Sequence, residues 1–231
     1  MKLVFTPDWF LGKDVMIDFF SFVILLVFFL LCWKYYKLSK KKSLFYLGIG
    51  FLLIAVAQIS AILTKLVLYY DTSFTQQIGQ MIVTYNFVKS VDIFYQVGFF
   101  FNRLLTLLGF YIIYKLSLKK KLSGDSYLVL YFLFLTSLFS TNIYYYVFHL
   151  TALILIFLIL KNYCKICKKT KHINTKILIA AFGLLALSQI IFLLSELPML
   201  FVIGNFIELV SYLILLILII RILKYSPRNK V

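Results

Sequence analysis

Acidic residues are scarce in this chain: its 231 residues hold only 8 Asp and Glu against 24 Lys and Arg, with three prolines, three cysteines and two histidines. Each shortage excludes something. Cys32, Cys164 and Cys167 cannot build a disulfide framework, and they read as reduced thiols. HExxH, GxSxG, paired aspartates of a membrane transferase and a phosphate-binding Gly loop are all missing. The chain is therefore not expected to be an enzyme, and no catalytic residue, metal or cofactor is assigned. Cys164-x-x-Cys167 with His172 has zinc-like spacing but lacks a fourth local ligand, so ordinary loop residues are expected there. Nothing reads as a separate soluble domain.

Apolar residues are what the chain has in excess: 63% are hydrophobic, mean hydropathy is +1.00, and there are 25 Phe and 17 Tyr. A soluble fold of this size cannot hide so much apolar surface, so the expected partner is a lipid bilayer. The net charge of +16 would otherwise suggest nucleic acid, but its uneven distribution argues against that.

A crossing of about 30 Å of hydrocarbon takes roughly 20 apolar residues. Five runs qualify: Val15 to Trp33, Leu44 to Tyr69, Val91 to Tyr114, Ile177 to Leu194 and Leu200 to Ile220. Asp14 and Asp18 lead into the first, which lacks a small-residue cleavage site and reads as a retained span. A longer stretch, Tyr127 to Leu160, is broken at Ser140-Thr141-Asn142. It forms either two spans or a re-entrant hairpin. Two spans are preferred, because a lipid-exposed break in mid-bilayer leaves backbone groups unsatisfied.

Seven spans place 19 of the 24 basic residues on one side, after spans one, three, five and seven. By the positive-inside rule that side is the cytoplasm, where the lysines would meet anionic headgroups or dock a protein partner. Asp8, Asp14, Asp18, Asp71, Asp92 and Glu196 fall at or near the other face. The expectation is an all-α, multi-pass protein of the cell membrane: a seven-transmembrane-helix bundle with its N-terminus outside and its C-terminus cytoplasmic. Between spans two and three, Phe74, Ile78, Met81, Ile82, Tyr85 and Val88 recur at helical spacing. They suggest an amphipathic surface helix or an extension of span three.

Spans two and six match in register. Phe51, Leu53, Ala55, Gln58 and Ile59 correspond to Phe182, Leu184, Ala186, Gln189 and Ile190, and Gly98 to Lys115 resembles Gly204 to Arg221 more weakly. The pattern implies one transmembrane domain over 1–231 with parallel repeats 12–122 and 143–231, joined by span 127–140. This 3+1+3 topology resembles the opsin and PQ-loop (SWEET-like) group across the whole chain. The resemblance implies architecture only. Span seven has no lysine for a retinal Schiff base, and the Pro-Gln dipeptide is absent.

Polar groups inside spans are costly and mark sites or interhelical contacts. Asp92, Gln96, Arg103 and Thr106 fall near one face of span three, with Arg103 near the midplane. Asn205, Glu208 and Ser211 share a face of span seven, so an Arg103–Glu208 ion pair facing the bundle interior is expected. It either fixes packing or serves a ligand. Gln58 and Lys65 on span two, Gln189 and Glu196 on span six, and Asp18 and Ser21 on span one point to a crevice on the outer side. Interhelical hydrogen bonding explains the Gln, Ser and Asn residues nearly as well. His149, the one membrane histidine, is expected to be packed. The candidate ligand or ion-pair residues are Arg103, Glu208, Asn205, Gln96, Gln58 and Gln189. The expected function is binding of a small ligand or ion from the outer side, for transport or sensing; a structural subunit is the alternative.

Overall fold

The structure, a computed structural model, describes residues 6–78, 81–118, 125–139, 145–170, 172–194 and 197–225; side chains are described except at 8, 70–93, 125–126, 170, 223 and 225. After a short 3-10 turn at Asp8–Phe10 the chain forms seven helices: α1 (Lys13–Ser39), α2 (Lys42–Ile78), α3 (Met81–Leu118), α4 (Asp125–Phe139), α5 (Tyr145–Thr170), α6 (Ile173–Leu193) and α7 (Pro198–Tyr225). All but α4 are long and apolar enough to cross a membrane. The chain is an all-helical, multi-pass membrane bundle.

Local chemistry sets several boundaries. Gly12 supplies the positive φ of 81° from which α1 starts, and its N–H donates to Asp14 Oδ1 at 3.1 Å. Lys40 closes α1 in the left-handed conformation, its N–H donating to Tyr36 O at 2.8 Å. Pro198 opens α7, where its missing N–H is no loss. Span two was expected to stop at Tyr69, but no Pro or Gly follows until Gly79 and the helix runs on to Ile78. The polar segment after Tyr69 is thus shared between extensions of α2 and α3, and is not an independent helix.

Six helices close a ring. α1 packs on α2, α2 on α3, α3 on α5, α5 on α6, α6 on α7, and α7 back on α1. α4 stands outside, against α3 and α5. At 15 residues it is about 22 Å long, less than the hydrocarbon thickness.

Its neighbours nevertheless fix its direction. Ser137 and Leu138, late in α4, share a crevice with Tyr95 and Gln96, early in the α3 span. Asn162 Nδ2, late in α5, donates to Ser117 Oγ, late in α3, at 2.9 Å. So α3 and α5 run parallel and α4 returns between them, which favours two passes over a hairpin. The Ser140-Thr141-Asn142 break lies outside the described residues, between the end of α4 and the start of α5.

The α2/α3 contact is the tightest, because small residues let the backbones approach. A Cβ on Gly109 would lie 2.6 Å from Gly50 O, and one on Gly98 would meet Thr64 Oγ1. Ser60 Oγ donates to Gly98 O and Asn102 Nδ2 to Ala57 O, both at 2.8 Å. On the other side of the ring, Ser211 Oγ donates to Ala181 O at 2.8 Å, tying α7 to α6.

The half of the ring nearer the lysine-rich ends is filled. Phe28 (α1), Phe51 (α2), Phe182 (α6) and Tyr163 (α5) form an aromatic chain across it, with ring-centroid separations of 4.5, 6.5 and 6.2 Å. Leu25, Ile54, Phe110, Leu185 and Tyr212 close around them. Open space within the ring therefore lies toward the opposite end.

Candidate ligand-binding cavity

A half-enclosed cavity of about 190 Å³ occupies that end, and all six ring helices contribute to its wall. Its lining comes from the first turns of the α1, α3, α5 and α7 spans and the last turns of α2 and α6. It includes Asp18 and Ser21, Gln58 and Lys65, Asn102, Arg103 and Thr106, Tyr145 and His149, Gln189, and Asn205 and Glu208.

One wall carries a buried ionic network that joins α1 to α2. Lys65 Nζ lies 2.6 Å from Asp18 Oδ2 and 3.1 Å from Asp14 Oδ2. Tyr69 donates its hydroxyl proton to Asp14 Oδ2 at 2.6 Å. The side chains of Lys65 and Asp14 are 7% and 0% exposed, so Lys65 is fully committed to two carboxylates. Asp14 and Asp18 sit four apart on one face of α1, which lets one ammonium bridge both.

Glu208, half-buried on α7, accepts a hydrogen bond from Tyr212 at 2.6 Å. Arg103, half-buried on α3, lies over the Phe99 ring at 5.8 Å. The expected Arg103–Glu208 ion pair is not formed. In the ring order α3 and α7 are three places apart, hence diametrically opposed, and the two side chains line facing walls of one cavity. Among the described residues, the cation held by carboxylates inside the ring is Lys65.

The other candidates divide. Gln58 is half-buried in the wall. Gln189 is buried, and its Oε1 lies 2.8 Å from His149 Nδ1, joining α6 to α5. His149 also packs against Phe192, with centroids 5.0 Å apart. Asn205 spends its amide on Phe201 O at 2.8 Å, within its own helix.

Gln96 is exposed and lies outside the ring cavity, in the α3/α4 crevice that Arg103 also reaches. Three residues of helix turn Thr106 about 60° from Arg103, toward the ring interior, whereas Gln96 stays on the α4 side. The side chains of Asp71, Asp92 and Glu196 lie outside the described residues. Sequence reasoning noted Asp18 and Lys65 but missed the Asp14–Lys65–Asp18 network; the i, i+4 carboxylates opening span one were its visible signal.

No family model, no curated protein and no solved structure matches this chain. The opsin and PQ-loop resemblance accordingly rests on topology alone.

Proposed function

We propose that this protein binds a small polar ligand from the outer side of the membrane, for sensing or transport. The observation that carries the reading is the pair Arg103 and Glu208, which share one cavity without neutralising each other. A subunit built only for packing gains nothing from separated charges in a bilayer, where each ionised group demands a partner or water. The described lysines at the far ends of α1, α3, α5 and α7 support an inward orientation of that end, so the cavity faces outward. The aromatic chain below the cavity favours sensing, or a transport cycle in which it parts.

The test is thiol accessibility in intact cells, in a background with Cys164 and Cys167 replaced by Ser. Thr106→Cys and Gln58→Cys should react with a membrane-impermeant reagent, while core Leu107→Cys should not. Protection of both cavity thiols in folded protein would move the assignment to a structural subunit.

We infer the parallel three-helix repeat on related grounds. A two-fold operation on the ring order carries α1, α2 and α3 onto α5, α6 and α7. Phe51 and Phe182, equivalent in the sequence match, meet at the ring centre, and the equivalent Gln58 and Gln189 both line the cavity.

A further inference from the structure

We propose that the cavity takes a small zwitterion whose charges are separated by several bonds, with its anionic end on Arg103 and its cationic end on Glu208. This rests on the outward-facing binding reading above and adds the ligand's chemistry.

Arg103 carries the first half. A guanidinium has five N–H donors and no acceptor atom. Among the described residues Arg103 has no carboxylate within ion-pair distance and no hydrogen-bond acceptor; it lies over the face of Phe99 at 5.8 Å. A cation–π contact leaves the donor edge unused, and that edge matches a carboxylate or phosphate in bidentate fashion. Lys65 is no competitor for the anion, because Asp18 and Asp14 already hold it at 2.6 and 3.1 Å.

Glu208 carries the second half. Its described partner is the neutral hydroxyl of Tyr212, which fills one of about four acceptor positions on a carboxylate. It thus keeps free lone pairs for an ammonium. A monopolar ligand would satisfy one wall and leave the other charge in a poorly hydrated site.

Geometry sets the length. With neighbouring helices about 8–10 Å apart, opposite members of a six-helix ring stand about 16–20 Å apart axis to axis. Arg and Glu side chains reaching inward close much of that distance but leave a gap of several bonds. The cavity of about 190 Å³ holds on the order of six water volumes, enough for a short ω-amino acid.

The experiment is calorimetric titration of the full chain in lipid nanodiscs with glycine, β-alanine, γ-aminobutyrate and 6-aminohexanoate, alongside butyrate and butylamine. Saturable binding should peak inside the ω-amino acid series and exceed both monopolar analogues at least tenfold. Arg103→Gln and Glu208→Gln should each weaken the best ligand tenfold or more. Arg103→Lys, which retains charge without the planar fork, should fall between wild type and Arg103→Gln.

Equal binding of a monopolar analogue, indifference to chain length, or no binding across the series overturns the proposal. The thiol-accessibility result separates the two failures. Reactive cavity thiols without zwitterion binding reject only this ligand class, whereas unreactive ones reject the cavity as a binding site. If Arg103→Gln does not fold, the Glu208→Gln and Arg103→Lys titrations decide.

Discussion

Arg103 and Glu208 face each other across the helix ring without touching, while Lys65, on α2 between α1 and α3, is bridged to two carboxylates. The two kinds of charge should respond differently to neutralisation. Lys65→Met leaves Asp14 and Asp18 buried without their cation, which should lower stability by about 3–5 kcal/mol. Glu208→Gln keeps an acceptor for Tyr212 and removes no ion pair, so it should change stability by less than about 1 kcal/mol. Melting temperatures of the purified variants would check this. Equal losses would mean that Glu208 is a packing residue.

The α2/α3 contact makes a graded prediction. Gly98→Ala drives its new methyl into Thr64 Oγ1, a side-chain atom, and Thr64→Ala removes that atom. The double variant should recover part of a loss of about 1–3 kcal/mol. Gly109→Ala meets the Gly50 carbonyl at 2.6 Å, which no side-chain replacement can relieve. It should be the more damaging change, and thermal melts of the three variants decide the order.

The seven-helix, all-α character was legible because hydropathy and loop charge are properties of composition and order along the chain. So was the polar end of the ring: Arg103, Glu208, Gln58 and Gln189 were singled out and all line one cavity. Pairing was not legible. Which cation meets which carboxylate depends on ring order, and nothing local in spans three and seven says that α3 and α7 stand opposite each other. Gln96 shows the same limit, since facing α4 or facing the ring is a matter of about one residue's rotation.

The aromatic chain tests the repeat. If Phe51 and Phe182 are equivalent, Phe51→Ala and Phe182→Ala should each cost about 3–5 kcal/mol. Because the two rings touch, the double variant should lose clearly less than the sum. Strongly unequal single losses would count against the equivalence.

Orientation can be read directly. Trp9→Cys, near the start of α1, should label from outside intact cells with an impermeant reagent, and the native exposed Cys164 only after permeabilisation. The reverse pattern would place the cavity on the cytoplasmic side.

α4 has one more effect, on the lipid rather than on the protein. A helix of about 22 Å beside neighbours that exceed 30 Å presents the bilayer with a short hydrophobic wall on one flank only. A bilayer that thinned to match it would bring the headgroup layer toward the crevice lined by Gln96, Arg103 and Ser137. Water carried in with those headgroups would shorten the low-dielectric path around Arg103, and membrane thickness would then be a variable to which the charge on α3 responds.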